Sequence, residues 1–493
     1  MAEAPLDRDV CYRALRTRDP RFDGRFYTAV VSTGIYCRPI CPARTPKIES
    51  CLFLPSAGAA HQMGFRPCLR CRPEVAPGLA GATGTASTVS RALGLIAEGG
   101  FDEGGADELA SRLGIGARHL RRLFDRHVGA APVAVAQAHR ILFAKKLLGE
   151  TSLSMTEIAE ASGFGSVRRF NAVFVDTYGR APSELRRSKR GGVAVGPAVV
   201  LKLPFREPYD WEAIAQFLAA RSIPGVEAVT DGCYRRTFEL GGVAGVLEVS
   251  RARDASHLLA TIHASDVKAL GPVVARLRRL FDLDADIGAV DAHLGRDRAL
   301  ARGVRKRPGI RVPGAWDAFE LAVRAVLGQQ VSVRAATTFA GRLVAAHGRA
   351  LPSVAGRDGA AELMLFPTAA TLAEADLTGI GLTRTRAATL NALSAACAAR
   401  PKLLEPGRTL EQTVEELCAV PGIGPWTAQY IAMRALRETD AFPASDLGLL
   451  RAMATSAGRP TPSALAERAE AWRPWRAYAA LRLWTCGAPP SGG

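Results

Sequence analysis

Four cysteines near the amino terminus have the spacing of a metal site. Cys37 and Cys41 form a C-x3-C pair, Cys68 and Cys71 form a C-x2-C pair, and 26 residues lie between the pairs. Two such pairs complete the tetrahedral four-thiolate set that zinc prefers, so one zinc ion is predicted. Metal-bound thiolates stay deprotonated at neutral pH. The centre could therefore act as a nucleophile, or it could be purely structural.

A second candidate centre lies near the carboxy terminus, where a glycine-rich turn precedes a lone carboxylate. The segment Pro421-Gly422-Ile423-Gly424 joins two stretches of helical pattern, and it predicts a helix–hairpin–helix unit with no room for a side chain at either glycine. Free N–H groups at the start of the second helix would bind an anion. Asp446 follows Trp426 by twenty residues. The pattern favours chemistry on nucleic acid, and a capped turn between helices is the alternative.

The composition of the whole chain agrees with a polyanionic partner. The 493 residues carry a formal net charge of +17, which favours DNA or RNA over a membrane surface. This length predicts several domains. The first residues, MAEAPLDRD, are acidic and predict no signal peptide, and no apolar run reaches the ~20 residues of a membrane span. A reducing cytoplasm is expected.

Residues 87–187 contain an internal repeat. Glu108-Leu109-Ala110 and Gly114 recur 49 positions later as Glu157-Ile158-Ala159 and Gly163. Each copy predicts a helix, a tight turn and a basic second helix, which suits the major groove of DNA. The arginines expected to contact DNA are Arg118, Arg121 and Arg122 in the first copy and Arg168 and Arg169 in the second.

The second copy, SMTEIAEASGFGSVRRFNAVFVDTYGRAPSELRR, resembles the AraC-type regulators, and the resemblance extends over both copies. It implies sequence-specific binding to promoter DNA, with RNA polymerase as a further partner. A plain helical packing unit with solvated arginines is the alternative.

The cysteine segments GIYCRPICPAR and GFRPCLRCRPE resemble the methyl-acceptor domain of the Ada family of adaptive-response regulators. The resemblance implies that Cys37 takes a methyl group from a methylated DNA phosphate, while Cys41, Cys68 and Cys71 complete the zinc site. A methylated phosphate is neutral, so an anionic thiolate centre can approach it without repulsion. After transfer the centre loses one negative charge, and binding to ordinary phosphates should tighten. The neighbouring residues expected to contact DNA are Arg38 and Arg44.

The carboxy-terminal half resembles the AlkA-type 3-methyladenine DNA glycosylases of the helix–hairpin–helix family. The resemblance covers about residues 199–487 and rests on the segments LPFREPYDWEAIAQFLAAR, RPGIRVPGAWDAFELAVRAVLGQQVSV, VPGIGPWTAQYIAMRAL and WRPWRAYAALRLW. It implies that Asp446 is the catalytic carboxylate and that Trp426, Tyr430 and Trp484 form the aromatic wall of a base pocket. From the residues alone, core packing is the better reading of Trp426 and Tyr430. The hairpin residues implied in DNA binding are Gly422, Gly424 and Thr427.

Departures from the related families sharpen this prediction. Strand-cutting relatives carry a Schiff-base lysine at the hairpin position of Trp426, so the reaction should stop at an abasic site. Only Cys486 follows the hairpin, so no iron–sulfur cluster is expected. The family's wedge residue is apolar, whereas Gln330 stands here, and it could hydrogen-bond the unpaired base instead. The Pro-Cys-His-Arg motif of the second Ada repair domain is absent, so removal of O6-alkylguanine damage is not predicted.

The predicted fold class is multidomain and mainly α-helical. Residues 1–80 should form a small four-cysteine zinc domain, 85–188 a double helix-turn-helix, 198–300 a small α+β domain, and 301–488 a helix–hairpin–helix glycosylase domain. A linker rich in Pro, Gly, Arg and Lys is predicted at 186–197. In the α+β domain the elements expected are strands at 199–203, 237–240 and 246–249 and helices at 211–221 and 265–281.

The predicted function is repair of alkylation damage: a monofunctional glycosylase fused to a methyl-phosphotriester acceptor that regulates transcription. One alternative is a transcription factor whose glycosylase-like half binds DNA without catalysis. Another is a glycosylase for uracil or oxidised guanine.

Overall fold

The computed structural model describes residues 6–76, 85–101, 104–186, 198–352, 363–405, 409–456 and 458–486. The linker predicted at 186–197 lies outside these ranges, except for its first residue. The predicted class, multidomain and mainly helical, is confirmed. None of the helices in the described part of the chain combines the length and the hydrophobicity needed to cross a bilayer.

The amino-terminal domain, residues 6–76, is built around a four-stranded sheet. Its elements are α1 (Arg8–Thr17), β1 (Tyr27–Val30), β2 (Ile35–Cys37), β3 (Cys51–Leu54), α2 (Ala57–Gln62) and β4 (Arg66–Pro67). The strand order is β3-β1-β2-β4, in which only β2 and β4 are parallel neighbours. Because Tyr36 pairs with Pro67, the residues that follow, Cys37 and Cys68, leave the sheet side by side.

The repeat of residues 87–187 forms the two predicted helix-turn-helix units, and a long central helix that was not predicted joins them. The helices are α3 (Thr85–Ala97), α4 (Gly105–Arg112), α5 (Ala117–His127), α6 (Pro132–Glu150), α7 (Met155–Ala161), α8 (Val167–Tyr178) and α9 (Pro182–Leu185). A capping box between Ser154 and Glu157 begins α7. Buried Leu120 and Phe124 on α5 and Phe170 and Phe174 on α8 turn the opposite, arginine-bearing faces outward.

The α+β domain contains a five-stranded antiparallel sheet, two strands more than predicted. Its elements are β5 (Val199–Pro204), α10 (Trp211–Ala219), β6 (Glu227–Thr230), β7 (Cys233–Leu240), β8 (Val243–Arg251), β9 (His257–Ala264) and α11 (Leu270–Leu280), and the strand order is β5-β9-β8-β7-β6. In β9 the buried residues Leu258, Ala260 and Ile262 alternate, but Leu259 between them hides the period in the sequence. The predicted helix at 265–281 begins later, after a 3-10 turn at Val267–Ala269.

The sheet and the second helix-turn-helix unit share one hydrophobic core. Phe143 and Leu147 on α6 belong to the same cluster as Leu201 of β5 and Leu247 of β8. The first helix-turn-helix unit is joined to the carboxy-terminal half by ion pairs. They include Arg279–Glu98 at 2.6 Å and Arg112–Glu405 at 3.2 Å. The regulatory half is therefore packed against the repair half.

The carboxy-terminal domain is a helical bundle interrupted by one short hairpin of strands. Its elements are α12 (Ile287–Leu294), α13 (Arg298–Lys306), α14 (Ala318–Leu327), α15 (Val333–His347), β10 (Arg349–Ala350), β11 (Met364–Leu365), α16 (Ala369–Ala373), α17 (Arg384–Ala399), α18 (Leu410–Cys418), α19 (Pro425–Arg434), α20 (Leu447–Ala452), α21 (Pro462–Ala469) and α22 (Arg476–Cys486). The predicted boundary between residues 300 and 301 falls within α13. Ile287, Leu294 and Leu300 pack in one cluster with Leu449 and Trp472, so this segment belongs to the helical core.

Candidate functional site

The four predicted metal-ligating cysteines come together in one cluster. Their sulfur atoms all lie within 4.8 Å of one another, and Cys41 Sγ is 3.9 Å from Cys68 Sγ. In a tetrahedral site with zinc–sulfur bonds of about 2.3 Å, the sulfurs stand about 3.8 Å apart. The donor set and its spacing therefore fit a zinc ion. Cys37 is partly exposed, whereas Cys41, Cys68 and Cys71 are buried.

Main-chain hydrogen bonds shape this cluster. The Cys68 N–H donates to Tyr36 O at 3.0 Å, and the Arg38 N–H donates to Cys71 Sγ at 3.3 Å. The Arg38 side chain is 8% exposed; it forms an ion pair with Asp23 and donates to Cys71 O at 3.1 Å. Each guanidinium nitrogen of Arg38 thus has a partner inside the domain, either Asp23 or Cys71 O. The expectation that Arg38 contacts DNA is therefore corrected, because its guanidinium supports the cysteine loops instead. Arg44 is exposed.

The arginines predicted on the two basic helices all lie on exposed faces. Arg118, Arg121 and Arg122 project from α5, and Arg168 and Arg169 project from the first turn of α8. Ser166 caps α8 by accepting a hydrogen bond from the Arg169 N–H at 3.2 Å. Both helices thus present a cationic surface, as DNA-reading helices do.

The two glycines of the predicted hairpin have different roles. Gly422 has φ +84°, and a Cβ there would lie 1.9 Å from Thr389 Oγ1, so a side chain is excluded. Gly424 precedes α19 in ordinary extended backbone, at φ −96° and ψ 175°, and a Cβ there would enter open space. The prediction that both positions are too tight for a side chain is therefore wrong for Gly424. Because Gly424 has no side chain, a ligand can reach the start of α19 without obstruction.

The start of α19 offers an anion site. Gly424 supplies no side-chain cap, Pro425 has no N–H, and the Ala428 N–H is the first to bond within the helix, to Gly424 O at 3.0 Å. The N–H groups of Trp426 and Thr427 thus point out of the helix end. The Thr427 side chain is 2% exposed and accepts a hydrogen bond from Gln329 Nε2 at 3.0 Å. The expected DNA contact of Thr427 stays a prediction, and its main-chain N–H is the group available for it.

The loop between α14 and α15 is tied to this hairpin. Besides Thr427, Gln329 Nε2 donates to Gly422 O at 3.1 Å, and Gln329 O accepts from Arg386 at 2.5 Å. The next residue, Gln330, is exposed and has φ +54°, a left-handed conformation uncommon for residues other than glycine. Gln330 therefore protrudes beside the pocket described below rather than lining it.

Asp446 lies where the hairpin helix, α20 and α22 meet. It caps α20, with Oδ1 accepting from the Leu449 N–H at 3.0 Å. Oδ1 also accepts from Trp484 Nε1 at 2.8 Å, and Oδ2 accepts from Trp426 Nε1 at 3.0 Å. Three donors thus fix the carboxylate, which is neither sealed in the core nor distant from the hairpin. The adjacent Gly448 is needed, since a Cβ there would lie 2.9 Å from Asp446 Oδ1.

A cavity of about 550 Å³ opens beside this carboxylate, between the sheet and the helical domain. Trp426 and Tyr430 stack with ring centroids 5.5 Å apart and planes at 8°, and Trp484 lies 6.2 Å from Tyr430. All three rings are partly exposed and line the cavity together with Asp446. Ordinary core packing does not explain why these three rings line an open cavity together.

Tyr430 has a cationic neighbour. Arg434 Nη1 donates to Tyr430 Oη at 2.7 Å. Burial alone would raise the pKa of Tyr430, but the charges of Arg434 and Arg221 outweigh it and hold this pKa below its usual value. Burial in turn lowers the pKa of Arg434. Other charged residues that line the cavity neutralise one another: Arg236 and Arg324 bind Glu320 at 2.8 and 2.5 Å.

Several residues of this site were not predicted, namely Gln329, Arg434 and Gly448. The spacing of Trp426, Tyr430 and Arg434, each four residues after the last, could have shown that Arg434 shares their helix face. The neighbouring positions of Gln329 and Gln330 contain no comparable signal.

Comparisons with known proteins agree with this arrangement. Residues 10–74 match the metal binding domain of Ada, 109–188 a helix-turn-helix domain, 200–317 the AlkA N-terminal domain, and 323–477 the HhH-GPD superfamily of base excision DNA repair proteins. A DNA-3-methyladenine glycosylase of Escherichia coli K12 is 37% identical over 57% of this chain and 95% of its own. The fold of the 3-methyladenine DNA-glycosylase from Archaeoglobus fulgidus matches 58% of this chain and 97% of its own, with a TM-score of 0.51 and 22% identity.

One relative that matches over nearly the full length is a protein of Mycobacterium tuberculosis H37Rv described as a probable bifunctional transcriptional activator/DNA repair enzyme AlkA. It is 44% identical over 97% of this chain and 96% of its own length. The match extends over the zinc, helix-turn-helix and glycosylase parts, so the three family resemblances in the sequence are confirmed together. The chain belongs to the family of bifunctional transcriptional activator/DNA repair enzymes of the AlkA type.

Proposed function

We propose that the carboxy-terminal half is a monofunctional DNA glycosylase that hydrolyses the N-glycosidic bond of alkylated bases of the 3-methyladenine type. The observation that carries the proposal is the Asp446 carboxylate, held by two indole N–H groups at the edge of an aromatic cavity. The likeness to the E. coli DNA-3-methyladenine glycosylase supports the same reaction.

The reaction follows from the charge of the substrate. An alkylated purine is cationic and already a good leaving group, so no strong general acid is needed. Asp446 stabilises the oxocarbenium-like sugar that develops as the C1′–N bond breaks, and the bond's electron pair neutralises the departing base. Water then adds to C1′ and loses its proton. The cavity residues Trp426 and Tyr430 offer ring faces to a cationic base, an attraction of about 0.5–2 kcal/mol.

The base must leave the duplex to reach this cavity, which costs a few kcal/mol. In this proposal the N–H groups of Trp426 and Thr427 bind the DNA backbone, and Gln330 enters the space that the base leaves. A polar wedge would compensate by hydrogen-bonding the unpaired partner base. Gln329 ties this wedge loop to the hairpin through two hydrogen bonds, which fix the position of one proposed DNA contact relative to the other.

The decisive experiment is base release from methylated duplex DNA by the full chain carrying Asp446→Asn. Single-turnover release of 3-methyladenine should fall roughly 10²–10³-fold, because an electrostatic stabiliser is lost. The amide oxygen can still accept from one indole N–H, but the amide nitrogen cannot accept from the other. Asp297→Asn is the matched control, since Asp297 also begins a helix and accepts an indole N–H, from Trp472 at 2.9 Å, away from the cavity. Unchanged release by Asp446→Asn would remove Asp446 from catalysis, whereas no release by the wild-type chain would support the non-catalytic alternative.

We propose further that the amino-terminal domain accepts a methyl group on Cys37 from a methylated DNA phosphate. Its partial exposure distinguishes Cys37 from the three buried cysteines. When bound, zinc supplies charge that keeps the thiols deprotonated. The Cys37 sulfur forms a bond to the methyl carbon, the methyl–oxygen bond breaks, and the phosphate oxygen keeps the electron pair. The product thioether is permanent, so each chain reacts once.

Mass spectrometry tests this step. After exposure to methylated DNA, one methyl group should be found on the peptide that contains Cys37, and Cys37→Ser should abolish it. Cys51→Ser is the control, because Cys51 is buried in the same domain outside the cluster. A methyl group on another cysteine, or none, would contradict the assignment. Metal analysis should give one zinc per chain and no iron–sulfur cluster.

The exposed arginines of α5 and α8 support promoter binding by the helix-turn-helix units. We propose that loss of one negative charge at the methylated centre tightens this binding and that RNA polymerase is the responding partner. A monomer in the bacterial cytoplasm, at the nucleoid, suits this role. Chromatin immunoprecipitation before and after methylation stress would test it: occupancy that does not rise would contradict the switch.

A further inference from the structure

Helix α13, in the carboxy-terminal domain, presents a row of exposed cations. Leu300 is 2% exposed and anchors the helix in the core that it shares with α20 and α22, and the partly buried Val304 packs against the same core. Positions three and four residues apart share one side of a helix, so the cations lie together on the side opposite these two residues. The α13 row consists of Arg298, Arg302, Arg305 and Lys306, all of them exposed.

The α13 row has no partner within the described part of the chain. None of its four side chains forms an ion pair or a hydrogen bond with another described residue. An abundance of arginine does not explain this, because neighbouring arginines are paired: Arg307 binds Asp210 at 2.9 Å, and Arg468 binds Asp297. The same combination, a buried apolar stripe opposite exposed arginines, occurs on α5 and α8 of the matched helix-turn-helix domain.

The composition of this row indicates the class of partner. A helix that binds a membrane inserts its apolar face, but the apolar face of α13 is buried in the protein core. A stable protein interface has apolar or aromatic side chains at its centre, and the row contains none. The backbone of a nucleic acid presents evenly spaced negative charge, and guanidinium groups bind phosphates through paired N–H donors. A phosphate backbone is therefore the partner that the row fits.

Helix α22 separates the α13 row from the base pocket. The buried Arg482 of α22 donates to Arg307 O, just after α13, at 3.0 Å. Trp484, two residues later on the same helix, donates to Asp446 instead. Residues two apart on a helix point in nearly opposite directions, so α13 and the pocket lie on opposite sides of α22. The row is thus about two helix diameters, roughly 20 Å, from the carboxylate.

We propose that the α13 row binds the phosphate backbone of a duplex DNA segment other than the segment whose base enters the pocket. This surface goes beyond the proposed glycosylase and methyl-acceptor functions, neither of which uses it. Contacts to the backbone carry no sequence information, so the binding is independent of sequence and weakens as salt rises. A chain held in this way stays on DNA while the pocket releases one site.

Acetylation of Lys306 tests this surface, because it reports the accessibility of a single amine within the row. The full chain is acetylated briefly with and without excess undamaged duplex DNA, and the modified peptides are quantified by mass spectrometry. The reactivity of Lys306 should fall about fivefold or more with DNA, and the double substitution Arg302→Gln and Arg305→Gln should remove most of this protection. Lys202, an exposed lysine on β5, is the control and should react equally in both samples.

A short duplex with one abasic site separates the α13 row from the pocket. One equivalent of this duplex should fill the pocket and leave Lys306 reactive, and only additional undamaged duplex should protect it. Failure of the abasic duplex to bind would count against the proposed glycosylase function, whereas the footprint with undamaged DNA would still decide the role of the row.

Four results would overturn the inference. The first is unchanged reactivity of Lys306 with excess DNA, and the second is protection that survives the double substitution. The third is protection by one equivalent of the abasic duplex, which would assign the row to the same DNA segment as the pocket. The fourth is stronger protection by double-stranded RNA, which would make RNA the partner. Should the double variant fail to fold, Arg298→Gln gives an independent test, with a smaller loss of protection expected.

Discussion

The cysteine centre and the Asp446 pocket each hold a negative group, but by opposite means. At the cysteine centre, main-chain turns bring four sulfurs within 4.8 Å, and only a bound cation can relieve the repulsion among the thiolates. At the pocket, Asp446 needs no cation, because two indole N–H groups and one backbone N–H hold it. The first arrangement suits a nucleophile that is consumed once. The second suits a carboxylate that stabilises charge in every turnover.

Metal removal should separate the two centres most strongly. Chelation of zinc should abolish methyl uptake and unfold residues 6–76, because metal binding in such small domains contributes about 10–16 kcal/mol to folding. Base release should change less than about twofold, since the pocket's donors belong to the protein. Circular dichroism and both assays on the same sample check this. Equal loss of the two activities would show that the centres are coupled, for instance through the contact of Arg206 with Asp23 O at 2.9 Å.

Substitutions of the two hairpin glycines test which of them is required for folding and which for DNA binding. Gly422→Ala should lower the free energy of unfolding by about 2–4 kcal/mol, from its left-handed backbone and the clash with Thr389. Gly424→Ala should cost less than about 0.5 kcal/mol, because its Cβ meets no atom. Binding of abasic-site DNA by Gly424→Ala should nevertheless weaken about 3–10-fold. Denaturant unfolding and fluorescence anisotropy measure the two effects, and a stable Gly422→Ala protein would refute the steric argument.

A smaller effect than that of Gly422→Ala is expected from removing one indole donor. Trp426→Phe keeps an aromatic ring at the cavity but removes the hydrogen bond to Asp446 Oδ2. The rate of base release should fall about 10- to 100-fold, since a hydrogen bond to a charged group contributes about 1.5–3 kcal/mol. Trp472→Phe, which removes the corresponding bond to Asp297, is the control. Wild-type rates in Trp426→Phe would mean that the ring alone matters.

The sequence by itself determined the local chemistry of both centres. The cysteine spacings predict a four-sulfur cluster, and the repeat predicts two helix-turn-helix units with basic outer faces, because these patterns depend on residues close together in the chain. The spacing from Trp426 to Asp446 is part of the resemblance to the AlkA-type glycosylases. That resemblance predicted hydrolysis of the N-glycosidic bond. Residues four apart on a helix share one face, so Trp426 and Tyr430 could be placed together without coordinates.

Only the tertiary structure decided what those residues contact. Arg38 was expected at the surface, but Asp23, fifteen residues earlier in the chain, draws it into the domain. Asp446 receives one of its donors from Trp484, and the charge at the end of the pocket depends on Arg221, which reaches it from the sheet domain. Such contacts join segments distant in sequence, and no local pattern encodes which distant side chain will be the partner. The chemistry is therefore readable from the chain, while its electrostatic environment is set by packing between domains.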